Sequence, residues 1–125
     1  MSSIDVREAL LRRFIEALQT GRVEALDEVL APDFVDDDRA SGQLPGALGM
    51  KWKLLAFRAH FPGAEVVLEG LRGTEDGLVA TWRTTAEGLE GAPGRATLRF
   101  TARFVIDTRI RSTKLLAREV LAGGA

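Results

Sequence analysis

The apolar positions change period along this chain, and the change divides it in two. From Val6 to Leu18 they recur at helical spacing, so that Val6, Leu10, Phe14, Ala17 and Leu18 share one face of a first helix. Ser2 and Ser3 are candidate caps, Asp5 suits the positive end, and Gly21 stops the helix. A short second helix turns Val23, Leu26, Val29 and Leu30 inward and is closed by Pro32. A third is predicted from Ala47 to Phe61, and it carries two apolar stripes. Leu48, Trp52, Leu55, Ala56 and Ala59 form one; Met50, Leu54, Phe57 and Phe61 form the other, on nearly the opposite side. Lys51 with Arg58, and Lys53 with His60, make the polar ridges between them. A helix apolar on two sides needs two partners.

From Ala64 onward the period is two. Strands are predicted near 64–72, 78–87, 96–106 and 109–117, separated by Thr74-Glu75-Asp76-Gly77, Gly91-Ala92-Pro93-Gly94 and Asp107-Thr108. Within the third of these, Leu98, Phe100, Ala102, Phe104 and Ile106 face the core, and Arg99, Thr101, Arg103 and Val105 face away. Helices first and a meander last predict an α+β domain with helices packed on one face of an antiparallel sheet. The 125 residues suit a single domain, 1–125, with a frayed tail at Gly123-Gly124-Ala125.

Composition narrows the chemistry. The net charge is −1, with no basic stripe for nucleic acid and no polybasic patch for a membrane. Neither a leader nor a run of membrane length is visible, so a cytoplasmic domain is expected. Cysteine and tyrosine are absent and His60 is the only histidine. That excludes thiol nucleophiles and leaves acid–base work to Asp, Glu, Lys or His60. His60 itself sits near a helix end, where the dipole favours a surface imidazolium. No metal or other cofactor is expected, because one histidine and an acidic triplet without the glycine and glutamate of a calcium loop make a poor ligand set.

The stretch Leu30-Ala31-Pro32-Asp33-Phe34-Val35-Asp36-Asp37-Asp38 carries the best chemical candidate. On a strand Phe34, Asp36 and Asp38 point one way, Val35 and Asp37 the other. If Phe34 faces the interior, Asp36 and Asp38 follow it, and enclosed carboxylates mark chemistry or binding. An enclosed Asp38 beside Asp36 would hold its proton more tightly than a free aspartate and could serve as a base. A solvated turn is the plainer reading of the same triplet.

Four segments, Phe14-Ile15-Glu16-Ala17-Leu18-Gln19-Thr20-Gly21, Leu30 to Asp36, Phe57-Arg58-Ala59-His60-Phe61-Pro62 and Phe104-Val105-Ile106-Asp107-Thr108-Arg109-Ile110, occur in the order and spacing of one family. Over about residues 5–115 the chain resembles the SnoaL-like polyketide cyclases and ketosteroid isomerases of the nuclear transport factor 2-like superfamily. The resemblance implies a cystatin-like cone, a curved antiparallel sheet with three N-terminal helices on its concave face, an apolar pocket, and a homodimer. It also implies a base at Asp38, with Asp36 as modulator. Other functional positions depart from the family. Phe14 and Ala102 stand where the isomerases place their two oxyanion donors, and one such donor is worth about 10²–10³ in rate. Leu115 stands where the cyclases place an acid–base aspartate, Asp37 where many relatives have histidine, and Lys114 where they have tryptophan. Arg83 matches the arginine of the epoxide hydrolases, but Thr85 and Leu115 replace their carboxylates.

The expectation is therefore a pocket for a small apolar or polycyclic molecule, lined by Phe14, Leu18, Phe34, Trp52, Leu55, Trp82, Phe100, Ala102, Phe104 and Leu115. Chemistry there would be cofactor-free proton transfer by Asp38. A noncatalytic ligand-binding or dimerisation domain is the alternative. Arg83 and Arg103 are read as salt-bridge or dimer contacts, on a strand face that suits a homodimer burying at least ~1,200 Å².

Overall fold

The structure is a computed structural model that describes residues 3–122. The candidate cap Ser2 and the tail Gly123–Ala125 lie outside the described residues. Helix α1 (Ser3–Thr20) ends where Gly21 turns to φ +78° and its N–H bonds Ala17 O at 2.8 Å. That left-handed conformation is one glycine adopts without a Cβ penalty. A 3₁₀ turn, Val23–Ala25, leads into the one-turn helix α2 (Leu26–Val29). Helix α3 runs Gly46–His60.

The strands are β1 (Leu30–Asp36), β2 (Glu65–Gly73), β3 (Gly77–Glu87), β4 (Arg95–Ile106) and β5 (Ile110–Ala122). They form one sheet in the order β1-β5-β4-β3-β2. The four C-terminal strands make the expected antiparallel meander. Strand β1 differs: it lies parallel to β5, pairing Val35 with Ser112 and Asp36 with Thr113, so the curved sheet is mixed. Hydrophobic alternation reports faces and not strand direction, and β1 meets its partner only after the whole meander has intervened. Pro32 also lies within β1 rather than before it. An edge strand tolerates proline because its missing N–H can fall on the unpaired side.

Register shifts on β2 and along the β4–β5 pair curve the sheet. Its concave face takes Leu98, Ala102, Phe104 and Ile106 from β4 together with Leu78 and Ala80 from β3, all buried. Leu11, Phe14 and Ile15 of α1 and Met50 and Leu54 of α3 close over them. The convex face is polar and self-paired: Glu69 bridges Arg83 and Arg99, Arg99 also reaches Glu119, and Arg103 meets Asp76 at 2.7 Å.

One close approach fixes the placement of α3. A Cβ added at Gly49 would lie 1.7 Å from Leu44 O, so the loop before the helix packs directly on its backbone. Gly70, by contrast, has open space around it. Gly49→Ala should lower the free energy of unfolding by about 1–3 kcal/mol through overpacking. Gly70→Ala should change it by less than about 0.5 kcal/mol. Urea titration of both variants checks the difference.

Candidate functional site

The sequence puts an acidic residue at the last inward position of β1, and the fold compensates it. Phe34 and Asp36 share the buried side of the strand, with 2% and 5% of their surfaces exposed. Three groups satisfy the Asp36 carboxylate. Asp38 N–H donates to Oδ1 at 2.9 Å; Gln43 Nε2 and Lys53 Nζ donate to Oδ2 at 3.1 and 2.8 Å. The positive charge of Lys53 adds to its hydrogen bond. Burial pushes the Asp36 acid up, but these donors together outweigh it and hold the carboxyl below the ordinary aspartate range.

Asp38 departs from expectation. The strand ends at Asp36, and Asp38 sits exposed in the turn that follows. Its Oδ2 accepts the Leu115 N–H at 2.6 Å, and its carbonyl accepts Lys53 Nζ at 3.2 Å. The enclosure that was to strengthen it as a base is absent. Asp38 nevertheless forms part of the rim of a cavity of about 240 Å³ between α1, α3 and the concave sheet.

That cavity gathers many of the residues singled out from sequence. Phe14 and Leu18 come from α1; Trp82, Phe100, Ala102, Phe104 and Leu115 come from the sheet. Ala102 and Leu115 are cross-strand partners and form adjacent apolar wall. The aromatic wall is continuous. Trp82 stacks on Phe100 at 5.7 Å, and Phe104 lies 6.3 Å from Trp82 and 5.6 Å from Phe14 in an edge-to-face contact.

Three expected lining residues lie elsewhere. Phe34 is packed in the core beside the cavity rather than in its wall. Trp52 and Leu55 are 60% and 39% exposed, on the outer side of α3. The helix presents its other stripe inward, and Met50, Leu54 and Phe57 line the cavity in their place. Both stripes are apolar, so an apolar stripe alone does not say which side faces the sheet. Lys53 is the residue that sequence reasoning missed, along with Thr84 and Thr113 on the strands. A signal was available: Lys53 flanks Met50 and Phe57 on the helical wheel, and Asp36 needed a cation. His60 is exposed in the last turn of α3, away from the cavity. Among the described residues no cluster of His, Cys, Asp or Glu could hold a metal ion. None of the helices there is long and apolar enough to cross a membrane.

The SnoaL-like domain model matches residues 11–112, most of the chain. The protein belongs to the SnoaL-like family. The comparison with curated proteins returned no match. Among solved structures, TsrD from Streptomyces laurentii shares 18% identity at a TM-score of 0.78, covering 97% of this chain and 92% of that one. A protein assigned as a polyketide cyclase from Acidithiobacillus ferrooxidans shares 24% at 0.74, covering 93% and 90%. An LEH-like epoxide hydrolase from M. tuberculosis shares 16% at 0.71, covering 92% and 80%. At these identities the likeness establishes the fold, a nuclear transport factor 2-like cone.

The Asp36–Lys53 pair makes this SnoaL-like domain sensitive to acid. The folded-state acid is stronger than an unfolded aspartate near ~3.9. Its stabilisation is therefore complete above that pH and lost as pH falls through the folded-state value. Asp36→Asn should cost about 1–3 kcal/mol near neutral pH. The gap from wild type should narrow as pH drops below about 4. Chemical denaturation across that range measures both.

Proposed function

We propose that this SnoaL-like domain binds a small neutral apolar molecule in its cone. The observation that carries the reading is the aromatic cavity of Phe14, Trp82, Phe100 and Phe104, open at the rim held by Asp36, Asp38 and Lys53. A small, mostly apolar concavity with a few convergent polar groups is the usual form of a ligand site. Its volume, about 240 Å³, is below the ~300–1,000 Å³ of drug-sized pockets and suits about one or two rings rather than a larger polycycle.

Trp82 supplies the test. The chain has two tryptophans, so Trp52→Phe removes the exposed one and leaves Trp82 as the sole reporter. Titration with indane should give a saturable change in Trp82 emission, and Ala102→Trp, which fills the cavity, should abolish it. No saturable change with indane would contradict the reading.

Proton transfer by Asp38 is the second reading, favoured by its place on the rim and by its Oδ1, which has no hydrogen-bond partner among the described residues. Under it Asp38→Asn removes turnover while the fold survives, and Asp37→Asn has little effect, since Asp37 is exposed in the same turn and does not line the cavity. Phe14 and Ala102 offer no hydrogen-bond donor for a developing oxyanion, and for that reason binding without chemistry leads. The homodimer belongs to the same reading as a proposal: light scattering at micromolar concentration should give twice the chain mass, and a monomer mass would overturn it.

A further inference from the structure

Among the described residues one cation, Lys53, stands on the rim of the apolar cavity, and it is incompletely used. Lys53 Nζ donates to Asp36 Oδ2 at 2.8 Å and to the Asp38 carbonyl at 3.2 Å. An ammonium carries one more N–H than these two acceptors take up. Its side chain is 37% exposed and forms part of the cavity lining, whereas the Asp36 side chain is 3% exposed and already satisfied. The spare donor is therefore available to a molecule seated between α3 and the sheet.

The charge balance of the rim selects the kind of acceptor. Asp36 neutralises Lys53, and Asp38 adds a second carboxylate on the same rim. A ligand carboxylate brought to Lys53 would meet two negative charges against one positive and would be disfavoured. A neutral carbonyl oxygen accepts the same N–H without adding charge, and its apolar body then lies against Trp82 and Phe100. We propose that Lys53 is the ligand-anchoring residue of this site, and that the ligand is a small neutral carbonyl compound whose oxygen accepts the free N–H of Lys53.

The inference rests on the apolar-binding reading, and the test separates the two. Indane, 1-indanone and indane-1-carboxylate share one skeleton and differ at the polar group. Heteronuclear NMR titration, followed at the Trp82 indole signal, measures each dissociation constant. With a charged donor, 1-indanone should bind about tenfold tighter than indane. The carboxylate should bind more weakly than the ketone. Lys53→Met should abolish the ketone preference, read as the ratio of the indane and 1-indanone dissociation constants within the same variant. Where that variant is too unstable because Asp36 is left unpaired, the Asp36→Asn/Lys53→Met double variant removes both charges together and should show the same loss. Indane binding with no preference for the ketone, a preference that survives Lys53→Met, or a tighter carboxylate overturns the inference and leaves apolar binding standing. Failure of both indane and 1-indanone to bind overturns both.

Discussion

Asp36 and Lys53 form an ion pair where strand β1 stops and helix α3 crosses the open end of the sheet, and the shape of the site follows from it. A carboxylate with so little exposure is tolerable only with compensation, because moving an unpaired charge out of water costs several kcal/mol. The compensation comes from three separate pieces of chain: the turn at Asp38, the loop at Gln43, and the helix at Lys53. Each is tied to the end of β1 by that need. The close packing of Leu44 on Gly49 brings the loop and the helix together at the same place. The pair has a rotational consequence too. With Lys53 held at Asp36, α3 must turn Met50, Leu54 and Phe57 toward the sheet and leave Trp52 outside.

The cavity is what remains after these constraints are met. Register shifts curve the sheet, and the cavity wall is built partly from Phe14, Ala102 and Leu115. The interior thus has bulk and aromatic surface but little polarity. The charged groups of the lining, Asp36, Asp38 and Lys53, stand at one edge, by the end of β1 and α3. A site so divided favours a molecule with an apolar body and one polar end.

Much of the architecture was legible from periodicity, because a sheet with one covered face imposes strict alternation. The alternate residues from Leu98 to Ile106 could be assigned to the concave side from spacing alone, and the end of the first helix followed from Gly21. What failed had physical causes. The direction of β1 depends on a partner that lies near the other end of the chain. Both stripes of α3 are apolar, and the contact of Lys53 with Asp36 goes with the Met50 stripe facing the sheet, so Trp52 and Leu55, read as pocket lining from sequence, lie outside. Asp38 was expected to continue the alternation of β1, but the strand ends at Asp36 because the Asp38 N–H turns back to its carboxylate. The candidate base thereby moves from the interior to the rim.

The most direct measurement is a crystal structure of the protein grown with 1-indanone. The ring system should lie between Phe14, Trp82 and Phe100, with the carbonyl oxygen at hydrogen-bonding distance from Lys53 Nζ and the Asp36–Lys53 contact retained. A cavity closed by its own side chains, or the ketone bound only against the exposed Trp52 face of α3, would contradict that placement.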